Sequence, residues 1–236
     1  MRYLSIFVVS LLVSAPLVAE EELGWSGKGE FGLVVTSGNS DTQNVNLALG
    51  FEKKTEKWHH KFSAVALNAE TDSTKTANRF GLEWQSDYKL SEVSYVLGNL
   101  RYTDDDFGAF SETIAAVAGY GRKLIDNETH KLNGELGLGV REDTDQITNH
   151  SNSEAIISGV LDYSWAISET TAFTNKFLVE SGSDNTFLEN DTALSVSIND
   201  RLALKLGLNI RHNTDVTGTL DDTDTLTTVN LVYNFK

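Results

Sequence analysis

The sequence predicts an all-β chain, an antiparallel transmembrane β-barrel of about 12 strands after an N-terminal signal peptide, and three observations predict it. From about residue 24 onward, stretches of roughly 10–13 residues alternate apolar and polar, divided by short polar turns. On most stretches the large apolar residues share one face and the charged residues the other. No apolar run after residue 19 approaches the ~18 residues that a membrane helix needs.

The elements follow in order. Arg2 is a thin positive start, Tyr3 to Val13 is an apolar run of 11 residues, and Ala15-Pro16-Leu17-Val18-Ala19 precedes Glu20-Glu21-Glu22. Cleavage is expected after Ala19, leaving a barrel of residues 20–236. No Cys follows the apolar run, which excludes a lipid-anchored N-terminus. Residues 25–36 put Trp25, Phe31, Leu33 and Val35 outward and Lys28 and Glu30 inward. Residues 42–53 put Val45, Leu47, Leu49 and Phe51 outward, and residues 58–70 put Trp58 and Phe62 outward with Lys61 inward. Residues 77–89 put Phe80, Leu82, Trp84 and Tyr88 outward, with Arg79, Glu83 and Asp87 inward. Strands near 93–103, 110–123 and 186–198 alternate too weakly for a facing to be assigned.

Residues 129–141 put Leu132, Leu136, Leu138 and Val140 outward, with Glu135 and Arg141 inward. Residues 153–165 point Ile157, Leu161, Tyr163 and Trp165 outward, and residues 170–182 point Phe173, Phe177 and Val179 outward with Lys176 and Glu180 inward. The clearest stretch is 201–211, with Leu202, Leu204, Leu206, Leu208 and Ile210 on one face and Lys205 and Arg211 on the other. A slip of one residue would place both cations in lipid, so the register is fixed. The last strand sets Val229, Leu231, Tyr233 and Phe235 outward.

Connections give a second test. Every other one is tight, as at Thr55-Glu56-Lys57, Ser91-Glu92 and Asn199-Asp200. The rest are expected to be longer and acidic, at 104–108, 142–152 and 213–223. That asymmetry places the long loops outside the cell and both termini in the periplasm. Trp25, Trp58, Tyr88, Tyr163, Trp165 and Tyr233 sit near strand ends, as in an aromatic girdle.

Composition narrows the chemistry. The net charge is -15, which opposes nucleic-acid binding, and the absence of Cys removes disulfides, thiolate metal sites and cysteine nucleophiles. The one Pro is Pro16, so no strand carries one.

Certain segments resemble a known family: Trp25-Ser26-Gly27-Lys28-Gly29-Glu30-Phe31-Gly32-Leu33, then Thr36-Ser37-Gly38-Asn39-Ser40-Asp41-Thr42, with Lys57-Trp58-His59-His60, Ser86-Asp87-Tyr88-Lys89-Leu90 and Gly119-Tyr120-Gly121. The chain resembles the YdiY-like family of salt-induced outer-membrane proteins, a domain of unknown function. The resemblance implies an outer-membrane barrel and a link to salt or osmotic stress, and names no substrate. Read physically, Gly38-Asn39 is a hairpin tip, since both residues tolerate positive φ.

The inward-facing charges are the candidate functional set: Lys28, Glu30, Lys61, Arg79, Glu83 and Glu135, then Arg141, Lys176, Glu180, Lys205 and Arg211. They are expected to line a small porin-like passage that sorts solutes by charge. The alternative is a closed structural barrel filled by cross-strand ion pairs, working through its extracellular loops. An outer-membrane hydrolase is the remaining class. Its one adjacent Ser and His, Ser151 and His150, lie in an expected turn, so no enzyme is expected. No metal site and no cofactor are expected. The expected partners are outer-membrane lipids, lipopolysaccharide and, through the C-terminal strand, the barrel-assembly machinery. The oligomeric state stays open. One departure from the usual barrel ending is Lys236, which leaves the terminal aromatic one residue in, at Phe235.

Overall fold

A computed structural model of the chain describes residues 23–36 and 42–235. The expected signal peptide, residues 1–19, and the Gly38-Asn39 hairpin tip lie outside the described residues, as does the side chain of Val35. Twelve strands form the fold: β1 (Gly24–Thr36), β2 (Thr42–Lys54), β3 (Trp58–Thr71), β4 (Thr74–Lys89), β5 (Ser94–Asp105) and β6 (Phe110–Asp126), followed by β7 (His130–Asp145), β8 (Ser151–Ala166), β9 (Thr171–Ser181), β10 (Thr186–Ser197), β11 (Leu202–Asn213) and β12 (Thr223–Phe235). Each pairs antiparallel with its sequence neighbours, and β1 meets β12 to close the barrel.

Facing follows from register, because residues directly opposite in an antiparallel ladder project to the same side. Glu83 lies opposite Arg101, Arg101 opposite Ala115, Ala115 opposite Arg141, and Arg141 opposite Glu154. This row therefore lines one interior wall. The intervening residues face out, and they are large and apolar: Leu136, Leu138 and Val140 on β7 are 72%, 69% and 60% exposed. A continuous band of such residues has no aqueous equivalent, so lipid is its medium. The barrel is thereby inverted relative to a soluble domain, apolar outside and charged within.

Two expectations about the connections change. The segments 104–108, 142–152 and 213–223 are partly strand: the loops proper are 106–109, 146–150 and 214–222. The connection between β3 and β4 is only Asp72-Ser73, with φ of 49° and 63°. Two consecutive left-handed residues match a type I′ hairpin, whose twist suits the flanking strands. At 104–105 and 142–145 the strands run on because Asp105 and Asp143, on their inner faces, find cations there. Apart from 214–222, the described loops at this far end are hardly longer than the turns at the end carrying the termini.

The ring–ring contacts of the outward aromatics gather at one end among the described residues. At the end of the termini, Trp58 stacks on His60 and meets Tyr88 edge-on, His130 lies beside Tyr163 and Trp165, and Tyr233 stacks on Phe235.

Candidate functional site in the barrel lumen

The eleven sequence-predicted residues all lie on inward-facing register positions, on β1, β3, β4, β7, β9 and β11. They fall into three clusters, each knitted to partners that the sequence does not assign.

The first cluster is built on Arg141, whose side chain is 1% exposed. Its Nε donates to Asp143 at 2.7 Å, and its Nη2 donates to Glu154 at 2.6 Å and to the Asn185 carbonyl at 2.9 Å. Nη1 donates to the Glu180 carbonyl at 3.2 Å. A planar five-donor fork suits such a ring of acceptors, which an ammonium cannot cover. The sequence places Asp143 in an external acidic loop; it is instead a buried ligand of this arginine.

The second cluster centres on Asp105, also expected outside and also buried. Its Oδ2 accepts from Arg79 on β4 and from Arg211 on β11, the latter at 3.1 Å. The strands β5 and β11 are six apart either way round the barrel, so the Arg211–Asp105 bridge spans the lumen. Its Oδ1 accepts the backbone N–H groups of Phe107 and Gly108, which ties the loop 106–109 over the lumen mouth. Below it, Phe187 is faced by the Arg101 and Arg211 guanidinium groups, at 5.3 and 5.4 Å from the ring centre. Two further bridges cross here: Lys176 to Glu83 at 3.5 Å, and Arg101 to Glu180.

The third cluster lies nearer the termini. Lys205 donates to both oxygens of Glu30 at 3.0 and 2.9 Å, Asn230 adds a third donor to Glu30, and Lys28 stands 3.7 Å away. On the facing wall, Lys61 pairs with Asp87 at 3.1 Å, and Glu135 accepts from Gln85 and Tyr95.

These bridges divide the interior. A cavity of about 570 Å³ extends past the first two clusters and Lys205, and a second of about 30 Å³ lies beside Glu135 and Gln85. Glu83, Arg101, Lys176 and Leu178 border both and form the partition. Seven basic and eight acidic residues line the larger cavity, a near balance. Asp224, one residue past the expected loop 213–223, is among them.

Sequence reasoning misses Arg101, Asp105, Asp143, Glu154 and Glu189. Arg101 and Glu189 sit on strands whose two faces differ little, so no alternation exposes them. The histidines are dispersed. His60, His130 and His212 face outward, each within 2.8–2.9 Å of a hydroxyl on the next strand: Ser86, Tyr163 and Thr223. His59 faces inward between Glu52 and Asp87. Among the described residues no histidine presents opposite ring nitrogens to a hydroxyl and a carboxylate, the geometry of a hydrolytic triad. Ser151 bonds Thr144.

Among known proteins, the chain is 25% identical over 216 residues to the uncharacterized protein YdiY of Escherichia coli (strain K12), covering 89% of this chain and 83% of that protein. In fold it is similar to the NanC porin, with a TM-score of 0.55 at 10% identity, covering 90% of this chain and 100% of that one. It is equally similar to the COG4313 outer membrane channel from Pseudomonas putida F1, with a TM-score of 0.55 at 9% identity, covering 94% of this chain and 100% of that one. The architecture is thus that of an outer-membrane β-barrel. A match across residues 29–235 makes the chain a member of the family described as protein of unknown function, DUF481.

Proposed function

We propose that the protein is a small passive channel of the outer membrane, with its termini in the periplasm, whose lumen ion pairs hold the passage narrow. The observation that carries this reading is the 570 Å³ cavity, lined by charges of both signs and crossed by the Arg211–Asp105 and Lys176–Glu83 bridges. Solutes that pass are small and polar, since they must slide between paired charges. Near neutrality of the lining gives weak ion preference. The family resemblance extends the reading to osmotic adaptation, and it has a physical counterpart: salt screens ion pairs in a water-filled lumen, with a Debye length of about 8 Å at 0.15 M and about 3 Å at 1 M.

Single-channel recording of the refolded protein in planar bilayers tests this. Discrete steps are expected. Lys205→Glu with Arg211→Glu should move the reversal potential toward cation preference, since two lumen cations become anions and Glu30 and Asp105 each lose one cationic partner. Silence from protein whose heat-modifiable gel mobility proves it folded would reject conduction. It would favour the second reading, a closed structural barrel, for which the partition between the two cavities is the specific support.

A further inference from the structure

Two asparagines interrupt the lipid-facing side of the barrel in the middle of its apolar band. On β9, Asn175 is the outward residue between Phe173 and Phe177. On β10, Asn190 and Thr192 are the outward residues between Leu188 and Leu194. Their facing is fixed by Lys176 and Asp191, which alternate with them and line the lumen. The register sets Asn175 opposite Thr192 and Phe177 opposite Asn190, so the three polar side chains make one patch. Apolar residues flank it along both strands, which places it within the hydrocarbon and not at its rim.

The patch does not satisfy itself. Asn175 Nδ2 donates to Asn190 Oδ1 at 3.2 Å and to Thr192 Oγ1 at 2.8 Å, and the Thr192 hydroxyl donates to Asn190 Oδ1 at 2.9 Å. Among the described residues, that leaves the Asn190 amide nitrogen and the Asn175 carbonyl oxygen without a partner. The adjoining strands supply none. On β11, Asn190 meets Ile210 and Thr192 meets Leu208. On β8, Asn175 meets Tyr163, whose hydroxyl is taken by His130.

Hydrocarbon offers neither donor nor acceptor, so an amide left open in it is costly. One open donor group beside one open acceptor is also self-complementary. We infer that this β9–β10 face is where a second copy of the chain docks, about a two-fold axis along the membrane normal. Such an axis between Asn175 and Asn190 lets each copy's Asn190 amide donate to the other copy's Asn175 carbonyl, in two reciprocal hydrogen bonds. Phe173, Phe177, Leu188 and Leu194 surround those bonds and exclude lipid from them. Between surfaces that are both at home in lipid, packing and such bonds are what drive association. The inference concerns the outer face alone and holds whether or not the lumen conducts.

The test uses protein purified from outer membranes and reconstituted in phosphatidylcholine vesicles over a range of protein-to-lipid ratios. Energy transfer between dyes attached at Glu56→Cys, in the turn between β2 and β3, reports association, since the chain has no Cys of its own. Transfer is expected to rise with density to the plateau of a pair. Asn175→Leu with Asn190→Leu should raise the density needed by about tenfold, in protein whose heat-modifiable mobility shows it folded. Oxidation should join Leu194→Cys, beside the patch, into dimers. It should leave Phe80→Cys unjoined, since β4 lies opposite β10 round the barrel. A monomer at every density would overturn the inference and leave the patch to a different protein. So would association that the double variant does not weaken, and so would links at position 80 as frequent as at position 194.

Discussion

Arg141 shows what the interior demands of a single residue. With its side chain 1% exposed, it is the shared donor of Asp143, Glu154 and two backbone carbonyls from the β9–β10 region. Removing one member of such a cluster strands the others without compensation, at about 3–5 kcal/mol. Arg141→Ala should therefore lower the urea midpoint of the refolded barrel by that order. Arg141→Lys should recover little, since one ammonium cannot reach carboxylates and carbonyls set around a plane. An unchanged midpoint in equilibrium unfolding from lipid vesicles would show that the cluster is incidental. Alternation alone places Arg141 inside, because Leu138 and Val140 on one face and Glu135 on the other fix the phase. Asp143, two residues on, obeys the same phase, but it lies in an acidic run that resembles a loop. The sequence does not reveal that an arginine is waiting for it.

At the scale of strands, legibility tracks contrast between faces. β11 is read without error because leucines alternate with Lys205 and Arg211. β6 is obscure because Ala115 and Val117 face in while Ala116 and Ala118 face out, so neither face is marked. β10 is obscure for the opposite reason. Asn190 and Thr192 face lipid, bonded to Asn175 on β9, while Phe187 turns inward between two arginines. Tertiary partners offset in both cases what local pattern would forbid. The closing pair β1–β12 includes one contact that a sequence cannot display: the Phe235 ring covers Gly27, and a Cβ there would displace it. With five rungs in that ladder among the described residues, Gly27→Val should slow or prevent closure. It should appear in gels as loss of the compact, heat-modifiable band, while Gly29→Val, where a Cβ meets nothing nearer than 3.6 Å, tests whether mere substitution in β1 matters.

For the molecule as a whole, the lumen chemistry makes ionic strength a control variable. The bridges across the lumen are ion pairs bordering water, and the lining is close to neutral. Screening weakens such pairs without producing a net lumen charge. Conductance is therefore expected to climb with KCl more steeply than the conductivity of the bath, and Arg211→Gln should flatten that excess. Strict proportionality in both proteins would separate the bridges from gating.

The shortness of the far rim has a consequence for how a cell bearing this barrel is seen by its surroundings. Apart from residues 214–222, the described far-end connections span two to five residues. An antibody or a phage tail fibre occupies about 800 Å² on each partner. A palisade of clipped hairpins offers few footholds of that size, so immune visibility and parasite attachment are concentrated on one segment. A peptide tag inserted beside Gly218, whose φ is +74°, should be stained on intact cells, whereas a tag at Glu56 should be stained only after the envelope is breached.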